Sequence, residues 1–250
     1  MRYKTLATIA ISVLMPFVSN AQKADSYKVV KVQGEIQRVK TGNLLSLGDN
    51  VVSNENFDFK TTSSRAVVVN KEKGCMILSA KANNEGPQFL PSSNNMSVRA
   101  ALPANPTEVM EYYYDNVFIS GFDSLKIDNE ALQIDDVNYF TVNYTANNNS
   151  YSEKIELKNG KLVLPATLLE KQPSKITICY NDEYGVNGQT EFTPVYADSE
   201  TLRDEIAVIF STIKGKRNAK VSASTSFVND FYGKTTDEAM DAWIKSNLKY

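Results

Sequence analysis

Side chains able to carry out chemistry are few in this sequence, and one common catalytic residue is missing. The 250-residue chain contains no histidine. This rules out Ser-His-Asp and Cys-His catalysis, histidine-ligated zinc or haem, and a histidine pH switch. Any catalysis would depend on carboxylates, lysine or tyrosine. We therefore expect a protein that is not an enzyme, has no catalytic residues and needs no cofactor.

The densest acidic group lies between residues 123 and 136. Clustered carboxylates could bind Ca²⁺ or supply the acid pair of a glycosidase. The spacing fits no EF-hand loop, and the glycine that such a loop needs for its turn is missing. A solvated acidic loop is the favoured interpretation, and a carboxylate-dependent hydrolase is the third functional candidate. The group consists of Asp123, Asp128, Glu130, Asp135 and Asp136.

The chain has two cysteines, Cys75 and Cys179. Cys179 has neither a histidine nor a basic neighbour that would favour the reactive thiolate, so a structural role is favoured over a nucleophilic one. In an oxidising compartment the two could form a disulfide worth about 4 kcal/mol of loop-closure entropy. That bridge requires the two strands to bring the Cα atoms close together, and two separate buried thiols are the favoured alternative.

Three consecutive tyrosines, Tyr112 to Tyr114, could form a platform that stacks against a sugar. Adjacent residues of a strand point to opposite faces, so at most two of the three could meet one ligand. Packing in the core and at its rim is therefore favoured over a binding role.

The tripeptide Asp123-Ser124-Leu125 resembles the short pattern at which exported Bacteroidetes proteins are O-glycosylated. The resemblance makes Ser124 the candidate acceptor. So short a motif also recurs by chance.

Composition is that of an ordinary globular protein, with 42% hydrophobic and 22% charged residues. The formal net charge of −2 gives no electrostatic argument for nucleic-acid binding. One basic cluster could touch an anionic surface, although solvation and compensation of a helix C-terminus explain it better. The cluster consists of Lys214, Lys216, Arg217 and Lys220.

Residues 1–21 have the pattern of a secretory signal peptide. Arg2 and Lys4 form a positive start, residues 6–18 form an apolar run, and small residues precede a cleavage point after Ala21. Pro16 interrupts the run, which is too short for a stable membrane anchor. The pattern predicts a periplasmic or secreted protein of a Gram-negative cell, without membrane insertion after cleavage.

Short apolar runs alternate with turn residues from residue 29 to residue 80, which is typical of a compact antiparallel sheet. Gly34 precedes one strand, Gly42 lies in a turn, and Leu47-Gly48-Asp49 is followed by the β-branched pair Val51-Val52. Over Tyr27 to Ala80 this framework resembles the periplasmic β domain of FecR-type proteins and the start of small exported Bacteroidetes proteins. The resemblance implies a β-rich module that contacts partner proteins in the envelope. The chain lacks the cytoplasmic segment and membrane helix of that family.

The remaining sequence divides into three parts. Residues 83–105 are rich in proline and asparagine and are predicted to be a linker or a long loop after the β module of residues 22–82. Residues 106–197 open with a short helix and continue as short strands, among which Asn159-Gly160 is the strongest hairpin signal. These strands predict a β-sandwich-like domain.

Residues 198–250 are predicted to be helical. Asp198 or Ser199 begins a first helix, Ser224 to Tyr232 form a second, and Thr236 begins a third. The third carries Trp243 on an apolar stripe that we expect to dock on the stripe of the first helix, with the sandwich as a candidate support. An isolated helix of that length would be marginal in water.

The sequence therefore predicts a mainly β fold, with an N-terminal FecR-like antiparallel β module, a middle β-sandwich-like region and a small helical C-terminal region. The predicted function is a non-enzymatic, exported protein-interaction module whose partner is an envelope or periplasmic protein. A carbohydrate-binding or adhesin-like module, with a glycan as partner, is the alternative.

Overall fold

The computed structural model describes residues 24–81, 86–92, 102–196 and 198–248. The predicted signal peptide and much of the predicted linker lie outside these residues. The fold is mainly β, as predicted, and most of the helical residues described are C-terminal. No helix in the described ranges is long and apolar enough to cross a membrane.

Fifteen strands and five helices are found in the described part of the chain. The strands are β1 (Ser26–Gln33), β2 (Ile36–Arg38), β3 (Asn50–Val52), β4 (Phe57–Phe59), β5 (Arg65–Asn70), β6 (Gly74–Ala80), β7 (Pro87–Pro91), β8 (Asp115–Phe118), β9 (Ser124–Lys126), β10 (Tyr139–Ala146), β11 (Asn149–Lys154), β12 (Glu156–Lys158), β13 (Lys161–Val163), β14 (Ile176–Asp182) and β15 (Gly185–Val195). The helices are α1 (Pro106–Tyr112), α2 (Thr167–Lys171), α3 (Ser199–Thr212), α4 (Arg217–Phe231) and α5 (Asp237–Asn247).

The N-terminal sheet is antiparallel and has the strand order β3-β1-β5-β6-β7, with β2 and β4 paired beside it. Its central strand β5 reads as a continuous apolar run because both faces are covered. Ala66 and Val68 point into a core shared with β2 and β4, whereas Val67 and Val69 point into a core shared with the C-terminal helices.

The three C-terminal helices form the second layer on this sheet. Trp243 of α5 is buried in the same core cluster as Phe210 of α3, but α5 packs mainly against α4 and not, as predicted, against the first tail helix. The same cluster contains Val30, Val67 and Cys75 of the sheet. The tail therefore packs on the N-terminal sheet, and Phe118 of β8 adds a side chain from the sandwich to the same core.

The second tail helix is longer than predicted, since α4 begins at Arg217 rather than at Ser224. Its middle, residues 222–226, is rich in serine and threonine, and the helix shows no clear apolar stripe. Two of these side chains bond within the helix, because the Ser224 hydroxyl donates to the Lys220 carbonyl and the Thr225 hydroxyl to the Val221 carbonyl. Such bonds satisfy polar side chains on a buried face, a pattern that hydrophobic periodicity alone does not reveal.

The middle region is built from two sheets, β11-β10-β14-β15-β8 and β12-β13-β9, around one apolar core. The predicted Asn159-Gly160 hairpin joins β12 to β13, with φ of 51° at the asparagine and 75° at the glycine. Strand β8 pairs in parallel with β15, and α1 packs against β15.

Part of the predicted linker is a strand. Pro87–Pro91 form β7, which pairs with β6 at the edge of the N-terminal sheet, and Ser92 then donates its hydroxyl to the Asp230 carboxylate on α4. Proline is tolerated at both ends of this strand because it is an edge strand. The two prolines had suggested a loop, and that interpretation is wrong for these five residues.

The helical tail also contacts the sandwich. The N–H of Lys234 donates to the Asn116 carbonyl (2.9 Å), and the N–H of Phe118 donates to the Lys234 carbonyl (3.0 Å). Gly233 is required at this crossing, because a Cβ at that position would lie 2.9 Å from the Asn116 carbonyl oxygen. The segment between α4 and α5 therefore joins the two parts of the molecule.

Candidate interaction surface

The predicted acidic group does not come together as a ligand site. Asp128 and Asp135 each accept backbone N–H groups from their own turns, and Asp136 pairs with Lys154. No group of potential metal ligands is present in the described ranges. Glu130 is exposed and lies in the Asp128 turn. These carboxylates shape loops.

Asp123 differs from the rest of the acidic group because its half-buried carboxylate is held by three hydrogen bonds. Its carboxylate accepts the N–H groups of Ser120 (2.8 Å) and Gly121 (2.9 Å) and the Ser120 hydroxyl (2.9 Å). Burial raises the pKa of Asp123, and these hydrogen bonds oppose the rise. The neighbouring Ser124, the predicted glycosylation site, is half-buried at the start of β9, an edge strand.

The two cysteines are separate buried thiols, and Cys75 lies in the core that the sheet shares with the C-terminal helices. The Cys75 thiol faces α4 and donates to the Ala223 carbonyl at 3.5 Å, and burial raises its pKa to about 12. Cys179 lies in β14, where its sulfur accepts the Asn143 side-chain N–H at 3.1 Å. The structure thus has two buried thiols, the favoured alternative, and not the disulfide.

The three tyrosines do not share a face. Tyr113 is buried, with its ring 5.8 Å from Phe192 and 5.0 Å from Tyr112, whereas Tyr114 is exposed. They end helix α1 and do not lie in a strand, so the argument from alternating faces used the wrong element. Its conclusion, packing instead of a three-ring platform, agrees with the geometry.

The basic cluster supports the helices around it. Lys220 donates to the Phe210 carbonyl (2.6 Å) near the C-terminus of α3, where a cation is favourable. Arg217 pairs with Asp241 of α5 at 2.7 Å. These two residues therefore fasten α4 to its neighbours. Lys214 and Lys216 are exposed.

A buried charged cluster escaped the sequence analysis. The Lys31 ammonium donates to Glu205 (2.8 Å) and to the Tyr232 hydroxyl (2.6 Å), and that hydroxyl donates to the second Glu205 oxygen (2.5 Å). Burial and the Glu205 hydrogen bond raise the pKa of Tyr232, so the phenol stays protonated. Each member satisfies the others, which makes the cluster a link between β1 and the tail. One feature of the sequence could have indicated this cluster. Glu205 lies on the apolar stripe of the first tail helix, beside Ile206, where a carboxylate is unexpected.

Exposed apolar side chains concentrate at one corner of the N-terminal sheet, between β2 and the end of β3. Of the large hydrophobic side chains that are exposed in the described ranges, four lie within residues 39–52. We call them the corner surface: Val39, Leu44, Leu47 and Val52.

Local backbone geometry presents the corner surface. Leu44 and Val52 point outward while their neighbours Leu45 and Val51 are buried, because successive side chains alternate in extended chain. The turns before and after Leu44 need glycine, and Gly42 and Gly48 have φ of 75° and 84°. The chain from Leu44 to Val52 therefore forms a bridge, a turn and the short β3 instead of one continuous strand.

Arg38 holds this corner in place through an ion pair and a hydrogen bond. Its guanidinium pairs with Glu55 and donates to the Asn50 carbonyl at 2.7 Å. The Glu55 carboxylate also accepts the Val52 N–H at 3.4 Å. Side chains thus form hydrogen bonds with backbone groups on the outer edge of β3. These bonds hinder the addition of a further strand. A partner would meet apolar side chains at this corner, not an open backbone edge.

Comparison of the chain with protein-family models, with curated proteins and with solved structures finds no match. The likeness to FecR-type proteins therefore stays a prediction from the sequence.

Proposed function

We propose that this protein is a non-enzymatic, exported protein-interaction module of the cell envelope, and that it contacts its partner through the corner surface. The observation that carries the proposal is the concentration of exposed apolar side chains on residues 39–52. Val39 alone is 62% exposed. Apolar patches of this kind, rimmed by polar residues, mark protein contacts in soluble proteins.

The rigidity of the corner supports the proposal. Val29 exchanges two backbone hydrogen bonds with this loop, one from its N–H to the Asp49 carbonyl and one from the Gly48 N–H to its carbonyl, both 2.8 Å. With Arg38 also in place, little conformational entropy remains to be lost when a partner binds. A preformed apolar centre with a charged rim is typical of a binding surface.

Export and the FecR-like pattern set the compartment in this proposal. The signal-peptide pattern of residues 1–21 directs the chain out of the cytoplasm, and the resemblance over Tyr27 to Ala80 implies contact with envelope proteins. The partner is then a periplasmic or envelope protein with an apolar patch of its own.

The experiment is a capture from envelope extract with the mature protein, compared with the variant Leu44→Asp. Val186→Asp is the matched control, because Val186 is also exposed (62%, against 52% for Leu44) but lies near the tip of the β14–β15 hairpin. Both variants should fold normally, since exposed substitutions usually change stability by less than about 0.5 kcal/mol. A partner held by the native protein and the control should be lost with Leu44→Asp.

Binding of the purified partner should then weaken at least tenfold for Leu44→Asp, which corresponds to about 1.4 kcal/mol. Unchanged affinity of this variant for every captured protein would contradict the role of the corner surface.

A further inference from the structure

A cleft of about 510 Å³ lies where the N-terminal sheet, the sandwich and the helical tail meet. Arg65 comes from β5, Asp115 and Asn116 come from β8, and residues 229–235 come from the end of α4 and the chain after it. Its size falls within the usual range of small-molecule sites, and junctions of this kind are common places for them. The cleft lies apart from the corner surface, so an activity here would be additional to partner binding.

Several polar groups in the cleft lack protein partners. Arg65 uses its Nε on Gln33 (2.8 Å), which leaves its two terminal nitrogens for a ligand. Asn229 uses its side-chain oxygen to accept the Thr235 N–H (2.7 Å), which leaves its NH₂ group. Within the described ranges, no side-chain hydrogen bond is made by Asp115 or Asn116.

Thr235 lies beside the cleft and has an unsatisfied polar group. The residue is only 9% exposed, and its hydroxyl is buried without a hydrogen-bond partner in the described structure. Buried hydroxyls are nearly always hydrogen-bonded, since losing water without compensation is costly. Since that oxygen is closed off from solvent, the groups that the cleft offers to a ligand are those of Arg65, Asp115, Asn116 and Asn229.

The backbone at the mouth of the cleft is held in an unfavourable conformation. Asp115 has φ of 84°, in the left-handed region that non-glycine residues rarely adopt. Lys234 holds the preceding turn by donating its ammonium to the Tyr114 carbonyl at 2.6 Å. Such positions persist where the surrounding structure enforces them, and they concentrate at binding sites.

The charges and hydrogen-bonding groups of the cleft indicate the class of ligand. Arg65 and Lys234 are balanced by Asp115 and Asp230, so neither an anion nor a cation is favoured. The available groups combine donors (Arg65 and Asn229), an acceptor (Asp115) and a group that does both (Asn116). A neutral polyhydroxylated molecule, whose every hydroxyl both donates and accepts, matches this set.

Two aromatic residues of the cleft have different roles. Tyr112 lines the cleft, and the Arg65 guanidinium lies over the Phe231 ring with 4.5 Å between its Cζ and the ring centroid. Because Arg65 already covers that ring face, a ligand gains a preoriented guanidinium there instead of a stacking surface. We infer that this cleft binds a neutral sugar, recognised mainly through hydrogen bonds.

The test is a glycan array carrying neutral and acidic glycans, followed by titration calorimetry with the best neutral sugar. Asn116→Ala and Arg65→Gln should each weaken binding at least tenfold. Asn54→Ala is the matched control, since this exposed asparagine lies in the turn after β3 at the other end of the N-terminal sheet and should leave affinity unchanged. Leu44→Asp should also bind sugar normally, which separates this site from the corner surface.

Thermal unfolding checks that each variant is folded, and Asn116→Ala is the decisive one because Asn116 is exposed. Absence of any neutral glycan on the array, or binding of acidic glycans alone, would overturn the inference. So would a neutral sugar whose affinity is the same for the native protein and both cleft variants.

Discussion

Removing the charge of Glu205 should loosen the helical tail from the N-terminal sheet. The side chain of Glu205 is 5% exposed and that of its partner Lys31 is 24% exposed. Glu205→Gln keeps the shape and an oxygen that can accept the Tyr232 hydroxyl, but it leaves the Lys31 ammonium without its counter-ion. Any destabilisation then reports the loss of charge rather than of volume.

The expected cost follows from the burial of the pair. Breaking a fully buried ion pair by removing one partner costs about 3–5 kcal/mol. Lys31 is partly exposed and keeps its bond to Tyr232, so we expect about 2 kcal/mol. For a chain of this length that corresponds to a fall in melting temperature of about 4–8 °C.

Urea unfolding followed by tryptophan fluorescence measures this directly. Trp243 is the only tryptophan of the chain and is buried in the core that the tail forms with the sheet. The matched control is Glu200→Gln on the same helix, whose ion pair with Arg203 is exposed and should contribute less than about 0.5 kcal/mol. The double variant Lys31→Met/Glu205→Leu should be more stable than Glu205→Gln, because no buried charge is left alone. If Glu205→Gln and Glu200→Gln unfold at the same urea concentration, the cluster does not hold the tail.

Three further predictions concern other parts of the fold. Gly233→Ala should lower the melting temperature by several degrees, because φ there is 140° and the new Cβ would meet the Asn116 carbonyl. Gly215→Ala is the control for backbone strain alone, since that residue has φ of 135° and an open environment. Stability should be constant up to about pH 10 and fall above it, because burial raises the pKa of tyrosines such as Tyr144 (to about 12), so the folded state holds their protons more tightly than the unfolded chain; equal urea midpoints at pH 9 and pH 11 would contradict this. Cys179→Ser should keep the fold and partner binding, as judged by circular dichroism and the capture assay, because the thiol is a packed strand residue; loss of binding without loss of stability would assign it a direct role.

Local signals in the sequence predicted local structure well. The Asn159-Gly160 hairpin and the caps at Asp198 and Thr236 depend on neighbouring residues only, and each is found where it was predicted. The apolar run of β5 also indicated a central, doubly covered strand. These features need no knowledge of what packs against them.

Contacts between distant segments were much harder to predict from the sequence. The residues around Trp243 do not indicate that its helix covers the N-terminal sheet. The prolines at the ends of β7 concealed a strand that pairs with β6. The cluster around Glu205 and the cleft beside Asn116 are each assembled from segments more than a hundred residues apart. Spacing within one segment cannot reveal such sites, although a carboxylate on an apolar helical stripe was a signal that could have been used.

The core shared by the N-terminal sheet and the tail has a consequence for the order of folding. During synthesis the sheet emerges first, and the helices that cover Val30, Val67 and Val69 emerge after the whole sandwich. Until α5 arrives, one apolar side of the sheet has no cover, and such a surface is prone to aggregation. A chain truncated before Ser199 would keep a complete sandwich but leave that sheet bare. The sandwich therefore lies, in sequence, between two segments that form one folding unit. The helices from Ser199 to Asn247 cover one apolar face of the sheet whose strands lie between Ser26 and Pro91.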